Sequence, residues 1–123
     1  MGAQHPATLD TMVNLALVHF ARGNFAAGAA LAREAAAGDR KTRPEAWQRF
    51  FSASVLGANL LAAKEDSAAE PLLASGLHGM ESREALIPVP DRFRLERARD
   101  WLAQAHHAKV IGRVGIAAQT ATR

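Results

Sequence analysis

The sequence predicts an all-α fold, an α-α superhelix of two complete helical hairpins followed by a capping helix. The first observation behind this prediction is an internal repeat, in which Leu15-Ala16 aligns with Leu56-Gly57, 41 residues further on. In the same alignment the turn Gly23-Asn24 falls on Lys64-Glu65. Repeats of this length cannot bury their apolar faces alone, and they are typical of helical solenoids. The second observation is the composition, rich in Ala with only 6% aromatic residues, which favours closely packed helices over strands.

The first hairpin is predicted over residues 8–38. Its first helix begins near Ala7-Thr8, after Pro6, and its apolar residues recur mainly every three or four positions up to Phe20. Gly23-Asn24 ends this helix, because both residue types tolerate the left-handed conformation that follows a helix. The second helix then runs from about Phe25 to Ala37, and Gly38-Asp39 is expected to stop it.

The second hairpin is predicted over residues 44–85, with Pro44 in the first turn of the third helix and a break at residues 64–66. The segment Ile87-Pro88-Val89-Pro90 is predicted to be a stiff extended linker. Asp91 is the expected N-cap of a capping helix over residues 91–109. These elements form one helical domain over residues 5–109. Residues 110–123, with two glycines and several β-branched residues, are a separate tail with no predicted helix.

Composition and motifs exclude several classes of function. The chain has no Cys, so disulfides and thiol chemistry are excluded, and no apolar run approaches the roughly 20 residues of a membrane span. Residues 1–6 lack the pattern of a signal peptide, which makes a cytoplasmic location the expectation. The five histidines show no metal-binding spacing, and no catalytic or phosphate-binding motif is present. We therefore expect no enzyme activity, no cofactor, no metal and no membrane partner.

The chain resembles a tetratricopeptide-repeat (TPR) protein. Residues 5–9, Asn14-Leu15-Ala16 and Gly23 are similar to the longer repeats of kinesin light chains. The segment from Trp47 through residues 69–73 to Ile87-Pro88 resembles the last repeats of bacterial TPR regions, which often follow a serine/threonine kinase domain. The resemblance implies that Leu15 and Leu56, with the small residues that follow them, pack the two helices of each hairpin together.

The resemblance also implies a function: a non-catalytic module that binds a peptide or a protein partner in its concave groove. That groove takes side chains from the first helix of each repeat. A side-chain amide such as that of Asn14 can hold a peptide backbone, because it donates and accepts hydrogen bonds. The candidate partner-binding residues are Asn14, Leu17, Phe20, Phe51, Val55, Asn59, Arg99 and His106.

Two alternatives remain open at this stage. One is a basic nucleic-acid adaptor that uses Arg92, Arg94, Arg97 and Arg99, since the net charge is +3. Acidic residues interleave with these arginines, however, which is typical of a solvated helix face with local ion pairs. The other alternative is a self-associating structural unit. The last helix lacks the partner that would shield Trp101, Leu102 and Ala105, so a homodimer through this helix and the tail is expected.

Overall fold

Five α-helices and two short 3₁₀ turns make up the computed structural model, which describes residues 5–121, with side chains up to residue 111. The helices are α1 (Pro6–Ala21), α2 (Phe25–Thr42), α3 (Trp47–Ala62), α4 (Asp66–Glu81) and α5 (Phe93–Ala121). The 3₁₀ turns are η1 (Glu84–Leu86) and η2 (Val89–Asp91), and the described residues contain no strand. The predicted all-α class is therefore confirmed.

The helices pack in sequence order, and α3 is at the centre. Each helix packs against the next one along the chain, and α1, α3 and α5 also contact one another in series. Helix α3 is thus in contact with all four other helices. Ten of its residues are buried, which leaves it almost without an exposed face.

The repeat is visible in the helix bounds. Helices α1 and α3 both have 16 residues and begin 41 positions apart. Helices α2 and α4 also begin 41 positions apart. The turns match as well, because Gly23 and Lys64 have φ values of 79° and 69°. The same hydrogen bond closes both helices. The N–H group of Asn24 donates to the carbonyl of His19 over 2.8 Å, and that of Glu65 donates to the carbonyl of Leu60 over 2.9 Å.

Helix α2 is longer than the sequence indicates, since it passes through Gly38-Asp39 and ends at Thr42. Gly38 is needed there for close packing. A Cβ atom at this position would lie 2.6 Å from a methyl carbon of Leu9 in α1. Asp39 is fully buried, and its carboxylate accepts hydrogen bonds from Arg43, which follows α2, and from Ser52 of α3. The predicted stop at Gly38-Asp39 is therefore wrong.

Other predicted boundaries also need correction. Pro44 lies in the turn before α3 and not in its first turn. The predicted linker is extended at Ile87 and Pro88 but then forms η2, and Ile87 is buried in the core. Asp91 closes η2, so it is not the N-cap of α5. Helix α5 does not end near Lys109 but continues to Ala121, through most of the predicted tail; residues 122 and 123 lie outside the described part.

The packing role expected for Leu15 is also wrong. Its repeat equivalent Leu56 is only 6% exposed, as predicted, but Leu15 is 46% exposed on the outer side of α1. The small residue beside it, Ala16, is fully buried and makes the contact with the core instead. The difference arises because α2 and α4 both pack against α3, whereas α1 has no described helix before it.

Candidate functional site

A groove lies where α1, α3 and the start of α5 meet. Its volume is about 210 Å³. The residues that line it are Asp10, Val13, Asn14, Trp47, Gln48, Phe51, Ser52, Asp91 and Arg94. It combines apolar side chains at the bottom with amides and charged groups at the sides, which is the usual make-up of a ligand site.

The floor and the rim of the groove come from different helices. Trp47 and Phe51 from α3 are buried and form the floor together with Val13 of α1. Asn14 is exposed at the rim, and Gln48 of α3 supplies a second amide. The groove therefore offers hydrogen-bonding groups beside an apolar surface.

The charged groups at the sides are paired with one another. Asp10 accepts a hydrogen bond from Arg43, and the carboxylate of Asp91 lies 3.6 Å from the guanidinium of Arg94. The Arg94 guanidinium also lies 5.0 Å from the ring centroid of Phe51, within range of a cation–π interaction. Since each carboxylate has a cationic partner, the groove is close to electrically neutral.

The ion pair of Arg43 with the buried Asp39 lies next to the groove, beside Ser52. The Nε–H group of Arg43 donates to Asp39 over 2.6 Å, and the Ser52 hydroxyl donates to the other oxygen of that carboxylate over 2.7 Å. Burial by itself lowers the pKa of Arg43, but the hydrogen bonds to Asp10 and Asp39 outweigh it and raise this pKa above its ordinary value. This guanidinium therefore stays charged and ties α2 to α1 and, through Asp39, to α3.

Trp101 of α5 fills the middle of the face formed by α1 and α3. Its ring stacks on Phe51 with a centroid distance of 6.2 Å and meets Phe20 edge-on at 6.0 Å. Beyond it lies a second hollow of about 250 Å³, lined partly by Phe20 and Gln104. Trp101 is 5% exposed and Ala105 is equally buried, so these residues do not need a second molecule to shield them, contrary to the sequence-based argument.

The predicted site residues do not all come together. Asn14 and Phe51 line the groove, whereas Leu17 and Phe20 are half-buried further along α1. The side chains of Phe51, Val55 and Asn59 belong to the core, and only Phe51 borders the groove.

The two predicted residues of α5 face α4 rather than the groove. Arg99 pairs with Glu81 at 3.4 Å, and His106 Nε2 lies 3.7 Å from Glu70. The physical reason is the rotation of α5. Burial of Leu95, Ala98, Trp101 and Ala105 turns Arg94 toward α1 and α3, and leaves Arg99 and His106 at the side. The spacing of these apolar residues by three and four was the signal that could have located this face.

Asn59 was predicted to bind a partner, but in the structure it packs between α3 and α2. Its Nδ2 group donates to the Val55 carbonyl over 3.0 Å, and its Oδ1 atom is buried without a hydrogen-bond donor among the described residues. A Cβ atom on Gly28 would lie 2.2 Å from that Oδ1 atom. Gly28 is therefore required for the contact of α2 with α3, although Gly lowers helix propensity by about 1 kcal/mol.

The contact between Gly28 and Asn59 predicts that Gly28→Ala changes the free energy of unfolding in opposite directions in two backgrounds. Gly28→Ala alone should lower the free energy of unfolding by about 1–3 kcal/mol, because the new methyl group overpacks the site. In an Asn59→Ala background the same substitution should raise it by up to about 1 kcal/mol, since only the gain in helix propensity remains. Urea denaturation of the four proteins measures both effects. Equal effects in the two backgrounds would show that Asn59 does not set the requirement for glycine.

Two properties of the described residues bear on other kinds of site. They contain no group of three or more His, Asp or Glu side chains able to hold a metal ion. None of the described helices is long and apolar enough to cross a membrane.

Together the fold and the groove define a protein of stacked helical hairpins with an aromatic-floored cleft along one side. No protein-family model, no curated protein and no solved structure matches the chain. The tetratricopeptide resemblance therefore rests on the residues of this chain alone and stays a prediction.

Proposed function

We propose that this protein is a non-catalytic interaction module of the tetratricopeptide type, which binds an extended peptide segment of a partner protein in the groove between α1, α3 and α5. The observation that carries this proposal is the position of the Asn14 amide at the rim of a groove whose floor is Trp47 and Phe51. The matching turns and helix bounds of the two hairpins support the repeat architecture.

The chemistry of the groove favours a peptide over a charged small molecule. Its carboxylates already have cationic partners, so a highly charged ligand would have to displace an ion pair. A peptide backbone is neutral and needs both donors and acceptors, which the amides of Asn14 and Gln48 supply. An apolar side chain of the peptide would lie on Phe51 and Trp47, where burial of a whole side chain contributes about 1.5–3 kcal/mol.

The four arginines considered for nucleic-acid binding are all engaged within the chain. Arg92 donates to the Ile87 carbonyl, and Arg94 pairs with Asp91. Arg97 lies over the ring of Trp101, and Arg99 pairs with three glutamates, the nearest at 2.7 Å. A phosphate backbone would have to break these contacts, which is why a peptide is the better-supported ligand.

A peptide selection tests the proposal. Peptides selected from a random phage-displayed library against the intact protein should perturb the fluorescence of Trp47 in a Trp101→Phe variant, where Trp47 is the only indole left. Backbone amide NMR shifts on titration should concentrate in residues 10–14 of α1, the first half of α3 and the start of α5. Binding peptides whose shifts map elsewhere, or a failure to select any peptide, would refute the proposal.

Removal of the Asn14 amide gives a quantitative prediction. Asn14→Ala should weaken peptide binding by about 2-fold to 13-fold, which corresponds to the loss of one hydrogen bond of roughly 0.5–1.5 kcal/mol. Gln104→Ala is the matched control, because Gln104 is an exposed amide on α5 outside this groove. Fluorescence polarisation with a labelled selected peptide measures both. Equal losses from the two variants would contradict a backbone-holding role for Asn14.

A further inference from the structure

We propose that the protein self-associates head to tail, with the distal segment of α5 (residues 107–121) of one copy packed against the outer face of α1 in a second copy. This interaction uses neither the peptide groove nor Trp101. It rests on three observations: an uncovered apolar face on α1, a missing turn in α5, and the register that the repeat imposes on both.

The outer face of α1 is apolar and uncovered. Leu15 and Val18 are 46% and 44% exposed, although they are large aliphatic residues. Their equivalents in the second repeat are Leu56 and Asn59, which are almost completely buried. Asn59 is covered by α2, the second helix of the preceding hairpin, through the close contact with Gly28. The repeat therefore indicates that a second helix of a hairpin is the natural cover for Leu15 and Val18.

The distal part of α5 corresponds to such a second helix, but it does not fold back to form a hairpin. The turns at Gly23 and Lys64 imply a third turn near residue 105, yet α5 continues without a break to Ala121. Residue 107 thus aligns with the first residues of α2 and α4, but the chain from there to Ala121 extends in line with α5. Glu70, close to the start of α4, is paired with His106 and Lys109, so the rest of α5 runs past the N-terminal end of α4. Val110 and Ile111 are accordingly 54% and 55% exposed.

The repeat register identifies the pair of residues that should meet. Gly28 of α2 lies against Asn59 of α3. Val110 lies two repeats after Gly28, and Val18 lies one repeat before Asn59. The equivalent contact between copies therefore places Val110 of one copy against Val18 of the next. Both are exposed valines, so their contact buries apolar surface on each side. Because the interacting faces differ, the contact is heterologous. Within one copy α2 covers α3 and α4 covers α5, and the proposed contact repeats this order between copies.

Contact of α5 with α1 of a second copy is favoured over contact between the α5 helices of two copies. The inward face of α5 is already occupied, since Trp101 and Ala105 are buried against the protein's own helices. On its exposed side, a second α5 would meet the open surface of Ala103, Gln104, His107, Ala108 and Ile111, in which Ile111 is the one large aliphatic side chain. The face of α1 offers two large aliphatic side chains and a repeat-defined cover.

Directed disulfide cross-linking tests this contact without interference, because the natural chain has no Cys. A mixture of the full-length variants Val18→Cys and Val110→Cys should form a cross-linked heterodimer under mild oxidation, and neither variant alone should do so efficiently. Leu86→Cys, at a position 70% exposed on η1, is the control partner for Val110→Cys. Cross-linking of Val110→Cys with itself would indicate an α5-to-α5 dimer and overturn the proposal. Equal cross-linking to Leu86→Cys would overturn it as well.

The oligomeric mass gives an independent readout. Light scattering over a micromolar to millimolar range should show a mass that rises with concentration. Leu15→Glu should weaken this association by about tenfold or more, because a leucine loses its apolar burial. Leu86→Glu should leave it unchanged, and circular dichroism should show both variants folded. A monomer mass at every concentration, or an equal effect of the two variants, would refute the proposal.

Discussion

Replacing Asp39 with alanine is expected to lower the free energy of unfolding by about 3–5 kcal/mol. The carboxylate is fully buried and accepts hydrogen bonds from Arg43 and Ser52, so its removal leaves the Nε–H group of Arg43 and the buried hydroxyl of Ser52 without an acceptor. Small domains are stable by only about 5–15 kcal/mol, so this loss is a large share of the total. Urea denaturation followed by circular dichroism measures it.

Asp10→Ala is the matched control, because Asp10 is the other acceptor of the same guanidinium. Its side chain is 50% exposed, and exposed ion pairs contribute about 1 kcal/mol or less. We therefore expect a much smaller loss for this variant. If the two variants were equally destabilised, the buried pair would not be what holds α2 to its neighbours.

Trp101→Ala should have an effect of similar size, again about 3–5 kcal/mol, because it leaves a large cavity between α1, α3 and α5. Trp101 is in contact with Phe20 of α1 and Phe51 of α3, so it joins the last helix to the first. Trp101→Phe should cost less, since a smaller ring still fills part of the space. Thermal and urea denaturation of both variants compare the two losses.

Phe93→Ala is the control for this second prediction. Phe93 is an aromatic residue of the same helix but is 50% exposed, so its removal should cost about 1 kcal/mol or less. A loss for Trp101→Ala no greater than that for Phe93→Ala would mean that α5 is held mainly by its contacts with α4.

The turns between the paired helices could be predicted from sequence because the repeat marks them twice. Gly23 favours the left-handed conformation, and its alignment with Lys64 located a turn that Lys alone does not indicate. The end of α2 could not be predicted in the same way. Gly38 has the same local signal whether it ends a helix or allows Leu9 to approach closely, and only the tertiary contact decides between the two.

The candidate site was predictable in part for a similar reason. The positions of Asn14 and Phe51 follow from the repeat register within the two complete hairpins, and both line the groove. The register failed for α5, because burial of Trp101 sets the rotation of that helix. The length of α5 was missed because its glycines reduce helix propensity without preventing a helix.

The central position of α3 has a consequence for how the molecule unfolds. In an open solenoid each repeat is in contact only with its neighbours, so the array can unravel one unit at a time from either end. Here α3 is in contact with every other helix, and Trp101 links α5 back to α1. Neither hairpin can separate without exposing the central helix, so the helices should be gained and lost together in a single cooperative transition.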